Sequence, residues 1–176
     1  MTTAAQRETR FNAWLTEHRG IVHKIARAYE TGAANQADLF QEMALQLWNS
    51  LPAFREEAKA ATWIYRVCLN TALTWRRGKV RRETRIEPGA DVALVASAAD
   101  SPAKAAGDRE MLDQLYAAIQ TLPDFDRALV LLSLDGLAYR EMAEITGLTE
   151  NHVGVALTRA RKRLAGLMKG VTNELE

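Results

Sequence analysis

The stretch REMAEITGLTENHVGVALTRARKRLAGLMK, residues 140–169, decides the fold. Two short amphipathic segments meet at Gly147-Leu148-Thr149, and the second runs into a cluster of arginines and lysines. Two helices that cross steeply through a tight turn need a small residue where they touch and a residue free to take φ > 0. They also need apolar anchors on the second helix. Ala143, Gly147 and the set Leu148, Val153 and Leu157 supply these, and Thr149 can cap the second helix with Glu150 in its first turn. The spacing predicts a helix-turn-helix. In a major groove such a helix reads bases from its exposed N-terminal half, which makes Glu150, Asn151, His152, Val155 and Thr158 the candidates. Asparagine pairs with adenine, and glutamate accepts from the cytosine amine. Arg159, Arg161, Lys162 and Arg163 suit phosphates, and Arg159 also suits guanine. A plain helical hairpin with a solvated basic end is the alternative that these residues leave open.

Upstream of this motif, Met111, Leu112, Leu115, Ala118, Ile119 and Leu122 follow helical spacing until Pro123. Pro123 and Asp124 suit the first turn of the next helix, which carries Ala128, Leu129, Leu131, Leu132 and Leu134 and ends at Asp135-Gly136. This second block spans residues 108–170. Before it, residues 83–107 are rich in Ala, Gly, Pro and Ser without a long amphipathic period, which predicts a flexible linker. A short strand or helix near Val92–Ala96 is compatible with it.

The first block, residues 1–82, reads as three helices. The first runs from Phe11 through Trp14, Leu15, His18, Ile21, Val22, Ile25 and Ala26 to near Gly32. The second starts near Asn35, and Phe40, Met43, Ala44, Leu47 and Leu51 make its stripe before Pro52 stops it. The third carries Ile64, Val67, Cys68, Thr71 and Trp75 into a basic run. The whole is predicted to be all-α: two small helical domains joined by a linker.

Composition narrows the function. At 48% hydrophobic and 26% charged residues, with ten glycines and four prolines, the chain is an ordinary globular one rather than a turn-rich β protein. Its apolar runs are too short to span a bilayer, so no membrane insertion is expected. The polar N-terminus lacks the apolar centre of a secretory signal. One cysteine, Cys68, allows neither an internal disulfide nor a multi-cysteine metal site, and a reduced, cytoplasmic setting is expected. There is no Gly-rich phosphate loop, HExxH or GxSxG, and His18 and His23 are five apart, off the i, i+4 spacing of a helical pair. An enzyme, a metal site and a cofactor are therefore not expected.

The net charge is only +1, but its distribution is uneven. Residues 76–85 carry six basic side chains and residues 159–169 carry five, which suits two separate contacts with a polyanion. On the second helix Asp38, Gln41, Glu42, Leu45 and Trp48 fall off the core stripe, a polar-acidic face with two apolar members that can dock a basic helix. The third helix offers Trp63, Tyr65, Arg66, Asn70, Trp75, Arg76 and Arg77. Aromatics beside arginines suit unpaired bases and their phosphates, although periodicity favours the core for Trp75.

At these residues a resemblance emerges. DLFQEMALQLWNSLPAFREEAKAATWIYRVCLNTALTWRR, residues 38–77, resembles region 2 of an extracytoplasmic-function sigma factor. LPDFDRALVLLSLDGLAYREMAEITGLTENHVGVALTRARKRL, residues 122–164, resembles region 4 of the same family. The resemblance implies a bacterial initiation subunit that binds core RNA polymerase and promoter DNA. It implies that Asp38, Gln41 and Glu42 dock on a coiled coil of the polymerase's largest subunit, with Leu45 beside them. It implies that the loop from about Ala53 to Thr62, with Trp63, captures a base flipped from the −10 element. Tyr65, Arg66 and Asn70 then lie near the start of melting, and Arg76, Arg77, Lys79, Arg81 and Arg82 hold duplex phosphates. The second block takes the −35 element, the polymerase flap is a further partner, and an anti-sigma factor is a possible inhibitor. Gly154 and Ala156 depart from the longer polar side chains common in the family's recognition helix. A stand-alone helix-turn-helix regulator is the competing class; it leaves the acidic face and the basic third helix without a role.

Overall fold

The computed structural model describes residues 4–55, 59–83 and 103–172. All its regular elements are helical, and the chain divides into two compact units, Met1–Val95 and Ala96–Glu176.

The first unit holds α1 (Ala4–Glu17), α2 (Arg19–Tyr29), α3 (Ala33–Ser50), a 3-10 turn (Leu51–Ala53) and α4 (Ala60–Glu83). The single first helix expected from the sequence is broken. At His18 the backbone moves to φ −112° and ψ 15°, and a new helix begins there, with Ile21 N–H bonding the His18 carbonyl at 3.0 Å. Gly20 in the new first turn weakens helix propagation through this point. Gly32, with φ 79°, turns α2 into α3, a conformation that side-chain-bearing residues avoid. The α3 stripe is rotated by one position from expectation: Leu39, Met43 and Leu47 are buried, whereas Phe40 lies half-buried against His23, with ring centroids 4.5 Å apart. Val22, Ile25, Ala26 and Tyr29 of α2 meet Ile64, Cys68, Leu69 and Ala72 of α4 in the same core. Burying each large aliphatic side chain contributes roughly 1.5–3 kcal/mol.

The second unit holds α5 (Ala103–Thr121), α6 (Asp124–Leu134), α7 (Tyr139–Thr146) and α8 (Glu150–Thr172). Residues 103–107, expected in the linker, already belong to α5. Alanine is the strongest helix former, so an Ala-rich segment reads as a linker by composition yet continues a helix. The rest of the expected linker, including Val92–Ala96, lies outside the described residues. Pro123 stands one position before α6, with Asp124 and Asp126 in the first turn, where carboxylates oppose the positive end of the helix dipole. Arg127 is wholly buried at the corner, donating Nη2 to the carbonyls of Gln120 (2.5 Å) and Leu122 (2.9 Å) and so closing the end of α5. Ile119, Leu129, Leu132, Met142, Val153 and Leu157 form the core. Among the described residues no helix is long and apolar enough to cross a membrane, and no group of three His, Cys, Asp or Glu is placed to hold a metal.

Candidate nucleic-acid interface

In the second unit α7 and α8 form the expected helix-turn-helix. Gly147 takes φ 75° and ψ 14°, and its N–H closes α7 on the Ala143 carbonyl at 2.9 Å. Thr149 caps α8 as expected, its Oγ1 accepting the His152 N–H at 3.3 Å. The Glu141 carboxylate accepts the Ala138 N–H at 3.0 Å and secures the start of α7. Val153, Ala156, Leu157 and Ala160 turn inward, which leaves Glu150, Asn151, His152, Val155, Thr158, Arg159, Arg161, Lys162 and Arg163 exposed. The Thr158 hydroxyl donates to the Gly154 carbonyl at 2.8 Å, so its proton is occupied within the helix. The short residues that set this helix apart from its family are explained by packing. Ala156 is buried, and a Cβ on Gly154 would stand 3.2 Å from the ring of Tyr139. Neither position is available to read bases.

The arginines that follow are held by α6. Asp126, 2% exposed, accepts Arg159 Nη2 at 3.4 Å on Oδ1 and Arg163 Nη1 at 2.5 Å on Oδ2. Arg161 donates to the Ser133 hydroxyl. Sequence reading placed these arginines but missed Asp126 and Ser133, because no local spacing links residues 33, 37 and 28 positions apart.

In the first unit α4 carries most of the expected promoter-contacting side chains, with two corrections. Tyr65 is buried, and burial pushes its phenol up to about 12, so it serves the core and not a surface. Its position follows from helical spacing with Cys68, Leu69 and Ala72, a stripe one residue off the expected one. Lys79 is committed inside the unit: its Nζ stands 2.8 Å from Glu30 Oε2, and Trp75 Nε1 donates to Glu30 Oε1 at 2.7 Å. Glu30 is 3% exposed, so the pair ties the end of α2 to α4 rather than offering a charge to DNA. Asn70, Arg77 and Arg81 are exposed and Arg66 and Arg76 half-buried, while Arg82 continues the helix. Trp63 is half-buried at the start of α4. Phe54 meets it edge-on at 5.7 Å and meets Trp14 at 4.8 Å, an aromatic cluster at the mouth of the expected base-capture loop. Phe54 was not singled out in the sequence. Residues 56–58 of that loop lie outside the described residues.

On α3, Asp38, Gln41 and Leu45 are exposed and Glu42 is half-buried, accepting Gln46 Nε2 at 2.9 Å. Trp48 does not share this open face. Arg7 of α1 lies 4.1 Å over its ring and donates to its carbonyl, and Phe11 meets it edge-on at 5.3 Å. An open groove of about 600 Å³ separates α3 from α4, lined by Glu42, Gln46, Asn70, Thr74, Trp75 and Gly78.

Comparison with known proteins places both units. A family described as Sigma-70 region 2 matches residues 14–82, and one described as Sigma-70, region 4 matches residues 112–164. The ECF RNA polymerase sigma-E factor of Haemophilus influenzae is 29% identical over 134 residues, covering 72% of this chain and 71% of the relative. The sigma-E factor of Escherichia coli K12 is 27% identical over 165 residues, covering 88% and 84%. In fold the chain is similar to the sigma factor RpoE of Bartonella quintana, solved with the anti-sigma factor NepR. The TM-score is 0.73 at 19% identity, over 91% of this chain and 97% of that one. It is also similar to CnrH, solved with the cytosolic domain of CnrY, with a TM-score of 0.65 at 18% identity over 95% of each chain.

Proposed function

Because this chain belongs to the extracytoplasmic-function sigma factors, which direct transcription initiation by bacterial RNA polymerase, we propose how its surfaces divide that task. A sigma factor binds core polymerase and promoter DNA and has no catalytic activity of its own. In this reading α8 takes the −35 element: Glu150, Asn151 and His152 meet base edges first, Val155 offers an apolar contact, and Arg159, Arg161, Lys162 and Arg163 meet phosphates. The observation that carries it is the exposure of this set above the buried Val153 and Leu157, on a helix capped by Thr149.

The basic end of α4, through Arg76, Arg77, Arg81 and Arg82, holds duplex phosphates near the −10 element. Trp63, with Phe54 behind it, borders the pocket for a flipped base; flipping costs a few kcal/mol of stacking that such a pocket offsets. Asp38, Gln41, Glu42 and Leu45 form the docking face for the coiled coil of the largest subunit. The exposed Met111 and Leu112 of α5 and Leu167 of α8 offer the flap an apolar surface. An anti-sigma factor is proposed as the inhibitor, by analogy with the B. quintana complex. A cytoplasmic location follows from work on the chromosome.

Run-off transcription with core polymerase on a library of promoter duplexes tests the reading. Enrichment of paired −35 and −10 motifs is expected; transcripts that start without regard to sequence would overturn it.

A further inference from the structure

We propose that Asp126 sets the promoter selectivity of the recognition helix: it never touches DNA, but it holds Arg159 and Arg163 in one orientation and cancels half of their joint charge. The inference rests on the reading of α8 as the −35 contact.

Asp126 sits in the first turn of α6 at 2% exposure, with Arg159 on one carboxylate oxygen at 3.4 Å and Arg163 on the other at 2.5 Å. The two arginines are one helical turn apart on α8, and their side chains are 59% and 49% exposed. A carboxylate this deep has little water to solvate it, so these guanidinium groups are its counter-charge. Swinging both away would leave a buried charge without a partner, which is strongly disfavoured. Each guanidinium has five N–H donors. The ion pair occupies one nitrogen of each, and the half-exposed remainder can still meet a phosphate. The arginines therefore meet DNA in the pose the carboxylate imposes.

The trio carries a net charge of +1 instead of +2, which weakens its pull on any duplex regardless of sequence. Non-specific binding is almost wholly this electrostatic attraction, whereas specific binding adds base contacts that demand an exact register. A carboxylate that subtracts charge while fixing pose thus lowers the first more than the second. Arg161, which donates to Ser133 of the same helix, is steadied without being neutralised.

A merely structural Asp126 would pin α8 to α6, and its loss would weaken all DNA binding together. The test compares wild-type and Asp126→Asn sigma, each as full chain in reconstituted holoenzyme, on the selected promoter duplex and on an unrelated duplex across a salt series. The substitution is expected to raise affinity for the unrelated duplex and to lower discrimination about tenfold, the scale of one misplaced base-contacting side chain. The slope of log affinity against log salt should steepen by about 1–2, one counterion for each arginine freed to a phosphate. Adding Arg163→Gln should return the slope toward wild type. Asp126→Leu, whose side chain suits a buried site, is the second variant should the amide not fold, and it must steepen the slope in the same way. Unchanged slope and discrimination, or a parallel loss of both affinities, would overturn the proposal. A wild-type holoenzyme that prefers no duplex at all would instead overturn the −35 reading on which it stands.

Discussion

The ring of Tyr139 lies against the backbone of Gly154, so close that a Cβ there would stand 3.2 Å from Cε2. The first residue of α7 thereby rests on the second turn of the recognition helix, and the glycine is what permits it. Tyr139 is 41% exposed, so its ring can retreat by a few tenths of an ångström. Gly154→Ala should therefore be mildly stabilising, by less than about 1 kcal/mol, because a mid-helix glycine costs roughly that much. Gly154→Arg, which supplies the long side chain common in the family, must displace the ring and should cost about 1–3 kcal/mol. Thermal melting of the two variants checks this; an arginine variant as stable as wild type would show that the ring is not part of the packing.

Arg127 is the buried cation that joins α5 to α6. Its two hydrogen bonds satisfy carbonyls at the end of α5, and Asp124 lies 3.8 Å away. Arg127→Met keeps bulk but leaves those carbonyls without this donor, and a loss of about 3–5 kcal/mol is expected. Arg127→Lys should rescue little, since an ammonium cannot reproduce the fork of a guanidinium. Urea unfolding followed by circular dichroism measures both; a cost below about 1 kcal/mol for the methionine variant would show that the corner does not depend on this residue.

Helical periodicity made much of this fold readable. Met43, Leu47, Ile64 and Cys68 lie in the core as their spacing required, and Gly147 and Thr149 turn and cap the last helix. The errors arise where a local period cannot decide. Leu39 and Phe40 are both apolar neighbours, and only the position of His23 and Arg19 beside Phe40 shows which one faces outward. Trp48 looked open because Arg7 lies 41 residues away. Lys79 and Arg163 looked free because Glu30 and Asp126 are distant in the chain, 49 and 37 residues. Charge in a sequence marks a candidate, and its partner is a property of the packed fold.

Stability should fall in alkali for a reason located in α4. Burial pushes the Cys68 thiol from near 9 up to about 12, and the Tyr65 phenol from 10 to about 12. Below pH 9 both groups are protonated in folded and unfolded chains alike, and their contribution is fully present. Above pH 9 the unfolded chain releases a thiol proton that the folded chain retains, so folding weakens as pH rises toward 12. The thiol imposes a limiting slope of about 1.4 kcal/mol per pH unit. Cys68→Ala should delay the onset to near pH 10, where Tyr65 takes over. Denaturation midpoints between pH 8 and 11 report this, and an onset identical in the alanine variant would remove the thiol from the account.

Leu45 is the test of the docking face, because it is 51% exposed one helical turn beyond Gln41 and contributes little to the core. An apolar side chain left in water amid Asp38, Gln41 and Glu42 gains most when a partner covers it, and such residues carry a large share of interface energy. Leu45→Ala should leave stability within about 0.5 kcal/mol of wild type. Its affinity for core polymerase should fall by about tenfold, equivalent to about 1.4 kcal/mol. Glu42→Lys should act in the same direction through charge repulsion with a basic helix, and its loss should shrink at high salt while that of Leu45→Ala should not. Competition binding to core polymerase at two ionic strengths separates the two contributions. Undiminished affinity in both variants would place the polymerase on another face of the first unit.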